Sequence, residues 1–263
     1  MKPSLTIIKV GGAVVEDEAQ LTQLLLDFTA IQGPKILVHG GGRRATKIAE
    51  RLGIETKMID GRRITDAEML EVVTMVYGGL VNKNVVARLQ ALGCDAIGLT
   101  GADANILLSQ KRPLKMVNGE PVDYGFVGDV KQASGSKIAH FIDANLIPVI
   151  APLTHDGQGH MLNTNADTMA SETAKAMAAV GYDVTLIYAF EKPGVLRDAD
   201  DDNSVIATIN HADFETYKAD GTISGGMLPK IENALAAIDA GVKRVIITKA
   251  TAIDGQHGTV ITK

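Results

Sequence analysis

The sequence predicts an α/β fold, a three-layer αβα sandwich in which helices cover both faces of a mainly parallel central sheet. Continuous apolar runs rich in Ile, Val and Leu suit strands that are buried on both faces. Six such runs occur, at 6–10, 35–39, 95–99, 147–151, 183–189 and 244–248. Helical periodicity separates many of them, and this alternation predicts parallel strands joined by right-handed crossovers.

The helices are predicted from stripes of apolar residues. Residues 18–31 and 228–240 each place Leu, Ile or Phe on one face, as expected for helices that cover a sheet. The segment 66–92 is apolar on more than one face, which predicts a helix in the middle of the monomer or, as we favour, at a subunit interface. The segment 105–126 is rich in Gly, Pro and short β-like pieces, and we expect hairpins carried on the sheet.

Composition narrows the class of protein. The 263 residues carry a net charge of −5, which disfavours a general binder of nucleic acid or anionic membranes. The single cysteine can form no internal disulfide, and no apolar stretch reaches the roughly 18 residues of a membrane span, so we expect a cytoplasmic protein. We place a compact boundary near residue 167, between an N-terminal lobe (1–167) and a C-terminal lobe (168–263).

Two glycine clusters come directly after predicted strands, Gly11-Gly12 and Gly40-Gly41-Gly42. Glycine lets the backbone turn tightly and brings N–H groups close to an anion. The second cluster opens a predicted helix at two arginines, which oppose the helix dipole unless an anion is nearby. From these residues alone, two alternatives stay open: close packing of strand on helix, and a dinucleotide pattern, G-x-G-x-x-A at 40–45 followed by Asp60.

Three further segments carry charges or caps. Arg62 and Arg63 form a pair before the long helix, where they suit a carboxylate or are simply solvated. Asn163 and Asp167 precede or open a helix, where Asn and Asp also serve as caps. Lys230 lies near the start of a predicted helix, which is the positive end of the helix dipole. A lysine is unfavourable there unless it faces an anion or points into water.

Together these segments resemble the amino acid kinase superfamily and, within it, the N-acetylglutamate kinase family of arginine biosynthesis. The resemblance spans essentially the whole chain and leaves little room for the dinucleotide alternative. It rests on five motifs in order: Ile8-Lys9-Val10-Gly11-Gly12, His39-Gly40-Gly41-Gly42, Gly61-Arg62-Arg63-Ile64-Thr65, Asn163-x-Asn165-Ala166-Asp167 and Gly225-Gly226-Met227-Leu228-Pro229-Lys230.

The resemblance implies the amino acid kinase fold and transfer of the γ-phosphoryl group of ATP to the γ-carboxylate of N-acetyl-L-glutamate. By similarity, Lys9 and Lys230 stabilise the phosphoryl group and Asp167 holds both ammonium groups. Arg63 binds the substrate α-carboxylate and Asn163 lies near the α-amide. Backbone N–H groups of Gly12, Gly41 and Gly42 contact phosphoryl and γ-carboxylate oxygens. Mg²⁺ is a cofactor held mainly by ATP, so no protein metal ligands are expected.

The resemblance also implies that the C-terminal lobe binds ATP and that the helix near 66–92 builds a homodimer. The predicted phosphoryl and ATP contacts are Gly11, Gly12, Gly194, Thr222, Ile223 and Ser224. The segment 188–196 matches the family's nucleotide loop at its Gly-Val-Leu end but lacks the Thr/Ser-Asp usual before it. The first predicted strand begins close to residue 1, so we expect the dimeric, arginine-insensitive type.

Three alternatives to this reading remain. A kinase of another N-acylglutamate, such as N-succinyl-L-glutamate, would keep all five motifs and differ only in the pocket lining. Another amino acid kinase chemistry would change the acceptor. A regulatory module on the same fold would be expected to lack one or both lysines, yet Lys9 and Lys230 are both present.

Overall fold

An eight-stranded sheet forms the centre of the protein, in a computed structural model that describes residues 2–59 and 61–263. Asp60, the acidic residue of the dinucleotide alternative, lies outside the described residues. The strands in spatial order are β14 (Thr208–Ile209), β16 (Thr259–Ile261), β15 (Arg244–Lys249), β13 (Asp183–Phe190), β1 (Ser4–Val10), β2 (Lys35–His39), β10 (Ile147–Ile150) and β5 (Ala96–Leu99).

Six strands, from β15 to β5, run parallel, and β16 is antiparallel to β15. These six are the apolar runs of the sequence, with ends within two residues of those predicted. The prediction of a mainly parallel sheet is therefore confirmed.

Helices cover both faces of this sheet, as predicted. Alternate residues of β1 face opposite layers: Ile7 belongs to one buried cluster and Ile8 to the other. No helix of the described chain is long and apolar enough to cross a membrane. The helices are α1 (Gly12–Glu16), α2 (Glu18–Ala30), α3 (Gly42–Arg51), α4 (Ala67–Val73), α5 (Asn82–Ala91), α6 (Gly135–Asp143), α7 (Ala166–Ala179), α8 (His211–Ala219) and α9 (Met227–Asp239).

The predicted long helix is one continuous helical stretch with an irregular middle. A π-helical segment, Thr74–Val81, joins α4 to α5, and the Asp66 side chain caps the start by accepting a hydrogen bond from the Met69 N–H at 2.9 Å. Most of its apolar residues are buried in the monomer, but Met75 is 56% exposed and Leu80 is 40% exposed. The stretch thus has an inner face and an apolar outer face.

The hairpins expected on the central sheet lie elsewhere, and this part of the prediction is wrong. Part of the region forms its own four-stranded sheet, in the order β12 (Met161–Asn163), β11 (Leu153–His155), β6 (Leu107–Lys111) and β9 (Gly128–Ala133). A separate hairpin joins β7 (Lys115–Val117) to β8 (Glu120–Val122) through Asn118 and Gly119, which have φ of 51° and 85°. Positive φ at both turn residues gives the tight hairpin turn that Asn-Gly favours. The pair β3 (Met58–Ile59) and β4 (Arg62–Arg63) forms a further two-stranded ribbon.

Candidate active site

Two lysines from opposite ends of the chain meet at one carboxylate. The Nζ atom of Lys9 lies 2.7 Å from Oδ1 of Asp167, and the Nζ atom of Lys230 lies 3.2 Å from Oδ2 of the same residue. The three side chains are between 11% and 19% exposed. We call these three residues the charged triad. The structure thus brings together the three residues that the resemblance assigns to catalysis.

Each member of the triad is placed by the element that carries it. Lys9 is the penultimate residue of β1 and shares the face of Ile7, toward α7 and α9. Asp167 is in the first turn of α7, whose cap is the side chain of Asn165; that side chain accepts hydrogen bonds from the N–H groups of Asp167 and Thr168. Lys230 is in the first turn of α9, after Pro229, which suits a helix start.

The triad has a net positive charge in a mostly buried position. Burial by itself would raise the pKa of Asp167, but the charges of Lys9 and Lys230 outweigh it and lower that pKa to about 2. Burial lowers the pKa of Lys230, while Asp167 acts in the opposite direction. With Asp167 ionised and both lysines charged, two cations share one anion. Such a site favours a further anion.

The two glycine clusters pack against each other beside the triad. A Cβ atom on Gly12 would lie 3.4 Å from the Gly41 nitrogen and 3.6 Å from the Gly42 nitrogen. The N–H groups of Gly12, Gly41 and Gly42 donate to no loop or turn carbonyl in the part of the chain that the structure describes. They stand at the starts of α1 and α3, where N–H groups lack helical acceptors. The loops therefore offer donors to an anion.

The contact between the loops predicts a structural requirement for glycine at position 40. A Cβ atom there would lie 2.9 Å from the backbone nitrogen of Gly12. We expect Gly40→Ala to lower the free energy of unfolding by about 1–3 kcal/mol, because two backbone segments would have to separate. Urea unfolding would measure this. Gly226→Ala is the control, since a Cβ atom there meets nothing within 4 Å; equal losses in the two variants would contradict the prediction.

The buried side chain of His39 supports the second glycine loop through a hydrogen bond. Its ring is fully buried, and burial lowers its pKa to about 4, so it is neutral near pH 7. Nε2 accepts a hydrogen bond from Asn82 Nδ2 at 3.1 Å, which leaves the proton on Nδ1 to be donated to the Gly40 carbonyl at 2.8 Å. These contacts fit a structural role for this histidine.

A cavity of about 220 Å³ opens in front of the glycine loops. Gly12, Gly41, Gly42, Arg63 and Asn163 line it, so the structure brings the predicted substrate-binding residues together. Arg62, Tyr77 and Arg112 line it as well, and none of its described lining residues is acidic. The cavity is therefore suited to a small molecule with carboxylate groups.

Arg63 donates hydrogen bonds to several protein acceptors, so it holds neighbouring elements of the fold together. Its side chain is buried, and Nη2 donates hydrogen bonds to the Gly42 carbonyl at 2.8 Å and to Thr46 Oγ1 at 2.9 Å. Nη1 donates to Thr56 Oγ1 at 3.2 Å. Arg63 thus ties the second glycine loop to its surroundings. Asn163 Nδ2 likewise donates to Thr65 Oγ1 at 2.9 Å, which fixes its amide in the cavity wall.

The remaining predicted residues are not gathered in that cavity. Gly11 lines a neighbouring cavity of about 270 Å³ with Gly12, Arg43 and Phe190. Gly194 is buried against Val205 and Thr259, where a Cβ atom would lie 2.8 Å from Val205 Cγ1. Ile223 is a core residue, while Thr222 and Ser224 lie in the segment that joins α8 to α9. The ATP contacts of Gly194, Thr222, Ile223 and Ser224 stay a prediction.

Nothing in the sequence indicates that Tyr77 and Arg112 belong to the site. Tyr77 reads as one more apolar residue of the long helix, yet its ring covers Gly41, where a Cβ atom would lie 2.8 Å from Cδ1. Arg112 stands alone in an irregular segment and pairs with Asp129 through Nε and Nη2. Only the tertiary fold brings either residue to the cavity.

The donor set of the site does not resemble a protein metal centre. In residues 2–59 and 61–263, no group of three or more His, Cys, Asp and Glu side chains is arranged to hold an ion. Asp167, the carboxylate of the triad, is already paired with two ammonium groups.

Comparison with known proteins places the chain among kinases. The amino acid kinase family model matches residues 4–249. Acetylglutamate kinase of Bacteroides thetaiotaomicron is 64% identical over 263 residues, which is 100% of both chains. Acetylglutamate kinase of Bacteroides fragilis is 63% identical over 100% of this chain and 98% of that protein. The crystal structure of smu.665 from Streptococcus mutans is 29% identical, with a TM-score of 0.78 and 98% of each chain covered.

Proposed function

The chain belongs to the amino acid kinase family, and from this premise we propose that it transfers the γ-phosphoryl group of ATP to the γ-carboxylate of N-acetyl-L-glutamate in arginine biosynthesis. The product is the acyl phosphate N-acetyl-L-glutamyl 5-phosphate. The observation that carries the proposal is the charged triad beside two facing glycine loops. The names of the relatives favour the acetyl group over the N-succinyl alternative.

The chemistry needs charge neutralisation rather than a base. The acceptor carboxylate is already ionised near neutral pH, so it can attack without losing a proton. The obstacle is its repulsion from an anionic phosphate, which positioned cations and N–H donors reduce. In this proposal Lys9 and Lys230 contact the migrating phosphoryl group from the two lobes, and Asp167 keeps their ammonium groups in place. Magnesium bound to ATP would supply further neutralisation of the phosphate charge.

The acyl amino acid occupies the cavity in front of the glycine loops. Gly41 and Gly42 donate N–H groups to the γ-carboxylate, Arg63 faces the α-carboxylate and Asn163 the α-amide. Gly11 and Gly12 lie on the phosphoryl side, toward the cavity that Arg43 and Phe190 line. What supports this arrangement is that one cavity holds Gly12, Gly41, Gly42, Arg63 and Asn163 together.

Arg63 provides a test of the substrate side. We expect Arg63→Ala to raise the KM for N-acetyl-L-glutamate by about 10- to 100-fold, because a charge-assisted hydrogen bond to a carboxylate is lost. It should also lower the melting temperature, since the hydrogen bonds to Gly42 and Thr46 disappear. Steady-state kinetics and thermal unfolding would measure both. Arg51→Ala, at an exposed position of α3, is the control; an unchanged KM in Arg63→Ala would remove its assigned role.

The proposed reaction itself is tested by trapping its product. Purified protein is incubated with ATP, Mg²⁺ and N-acetyl-L-glutamate in the presence of hydroxylamine, which converts an acyl phosphate to a coloured hydroxamate when iron is added. We expect hydroxamate and ADP in equal amounts. L-glutamate and L-aspartate, offered separately, should give far less product. Preference for an unacylated amino acid would replace this proposal with another amino acid kinase activity.

The same proposal includes a cytoplasmic homodimer that forms through the stretch 66–92. Exposed Met75 and Leu80 on its outer face support it, as does the position of β5 at the outer edge of the sheet. A groove lined by Leu70, Met75, Phe126 and Met161 continues this apolar surface. Sedimentation should give a dimer in the wild type and a monomer in a Met75→Glu, Leu80→Glu variant. A wild-type monomer would contradict it.

A further inference from the structure

Arg62 differs from the other two arginines of the cavity in what it contacts. Arg63 is held by Gly42, Thr46 and Thr56, and Arg112 is paired with Asp129. No side chain in residues 2–59 and 61–263 forms a hydrogen bond or an ion pair with the Arg62 guanidinium. Arg62 is nevertheless partly buried, at the wall of the cavity. Among the described residues, therefore, the Arg62 guanidinium has no partner, and it lines the cavity.

The surroundings of Arg62 disfavour the positive charge of its guanidinium. Arg62 and Arg63 are neighbours in β4 and both line the cavity, but the acceptors Gly42 and Thr46 hold Arg63 alone. Burial lowers the pKa of Arg62, and so does the positive charge of Arg112, while Asp167 and Asp129 oppose the change. No acidic residue is present among the described lining residues of the cavity. A bound anion would relieve this repulsion.

We propose that Arg62 binds a carboxylate of the acyl amino acid substrate. The inference rests on the proposed function, because that function supplies the ligand. The planar guanidinium matches a carboxylate through two parallel hydrogen bonds, so the contact selects by geometry as well as by charge. Arg63 and the glycine loops account for two carboxylates, and Arg62 adds a further contact.

The carboxylate can come from two sources. One is the α-carboxylate, which Arg62 would share with Arg63, since both line the same cavity. The other is a carboxylate at the end of a longer N-acyl group, such as that of N-succinyl-L-glutamate. The first source predicts that Arg62 matters for every substrate of the enzyme. The second predicts that it matters only for a substrate whose acyl group is charged.

The experiment compares wild type, Arg62→Gln and Arg62→Lys with N-acetyl-L-glutamate and N-succinyl-L-glutamate as substrates. We expect Arg62→Gln to raise the KM by about 10- to 100-fold for both compounds if the α-carboxylate is bound, or for the succinyl compound alone if the acyl carboxylate is bound. The KM for ATP and the melting temperature should stay near the wild-type values. Arg62→Lys, which keeps the charge without the fork, should recover part of the loss.

The control variant is Arg51→Gln, which removes an exposed arginine of α3 and should change neither KM. The inference is overturned if Arg62→Gln leaves the KM for both compounds within about twofold of wild type. Should Arg62→Gln prove insoluble, Arg62→Met is held to the same criterion. If the wild type turns over neither compound, the proposed function is refuted instead. The role of Arg62 is then tested by calorimetric binding of the two compounds. An equal Kd in wild type and Arg62→Gln overturns that role.

Discussion

Replacing Lys9 or Lys230 with methionine is expected to lower kcat by about 100- to 1,000-fold, the usual effect of losing one preorganised charge contact to a transition state. Methionine keeps an unbranched side chain of similar length but removes the ammonium group. The KM for the acyl amino acid should change much less, because the lysines act on the migrating phosphoryl group rather than on the bound substrate. Hydroxamate formation at saturating substrates measures kcat directly.

The control for the lysine variants is Lys243→Met, which removes an exposed lysine paired with Asp183 outside the site. It should keep the wild-type kcat. The two active-site variants should also be non-additive when combined, because both lysines act on the same group. An unchanged kcat in both single variants would refute the proposed role of the two lysines.

Asp167→Asn is expected to reduce both activity and stability. The amide has nearly the same size as the carboxylate but leaves Lys9 and Lys230 close together without their shared anion. Removing one partner of a buried ion pair typically costs about 3–5 kcal/mol, and here a single change affects two pairs. Urea unfolding should show this loss, and kcat should fall with it.

A double variant separates the two effects of Asp167. Asp167→Asn combined with Lys230→Met removes the repulsion between the lysines, so it should recover part of the stability but none of the activity. If Asp167→Asn is as stable as the wild type, the carboxylate does not hold the lysines in the way described.

The same carboxylate predicts how stability depends on pH. Its pKa of about 2 in the folded protein lies below the ordinary value of 3.8. A lowered pKa stabilises the folded state fully above pH 4, and this contribution is lost as the pH falls through 4 toward 2. The loss amounts to about 2 kcal/mol. Unfolding measured across this range should show a shallower acid decline in Asp167→Asn than in the wild type.

The central sheet could be predicted because its strands are signalled locally. Each parallel strand is buried on both faces, so it appears as an unbroken apolar run whatever its neighbours are. The charged triad could not be derived in that way, because Lys9 and Lys230 are far apart in the sequence and Lys230 alone is equally well explained as a solvated lysine. The order of five motifs, taken as a resemblance, placed them in one site.

Features that depend on tertiary contacts were out of reach. The second sheet combines short strands from 107–133 and 153–163, and such strands show no periodicity long enough to give their partners. The hydrogen bonds of Arg63 to Gly42 and Thr46 likewise require β4 and α3 to be adjacent. Arg62 and Arg63 look equivalent in the sequence, and only their surroundings distinguish them.

In the π-helical segment 74–81, the number of residues matters more than their types. A π turn holds one residue more than an α turn, so the segment sets the rotation at which α5 begins, and a residue gained or lost without a matching change in the π geometry would rotate everything after it by about 100°. Asn82 would then leave His39 and the Val149 carbonyl, which its side chain now joins. An uncompensated insertion or deletion in this segment would therefore disconnect the second glycine loop from the Asn82 and His39 side chains that support it.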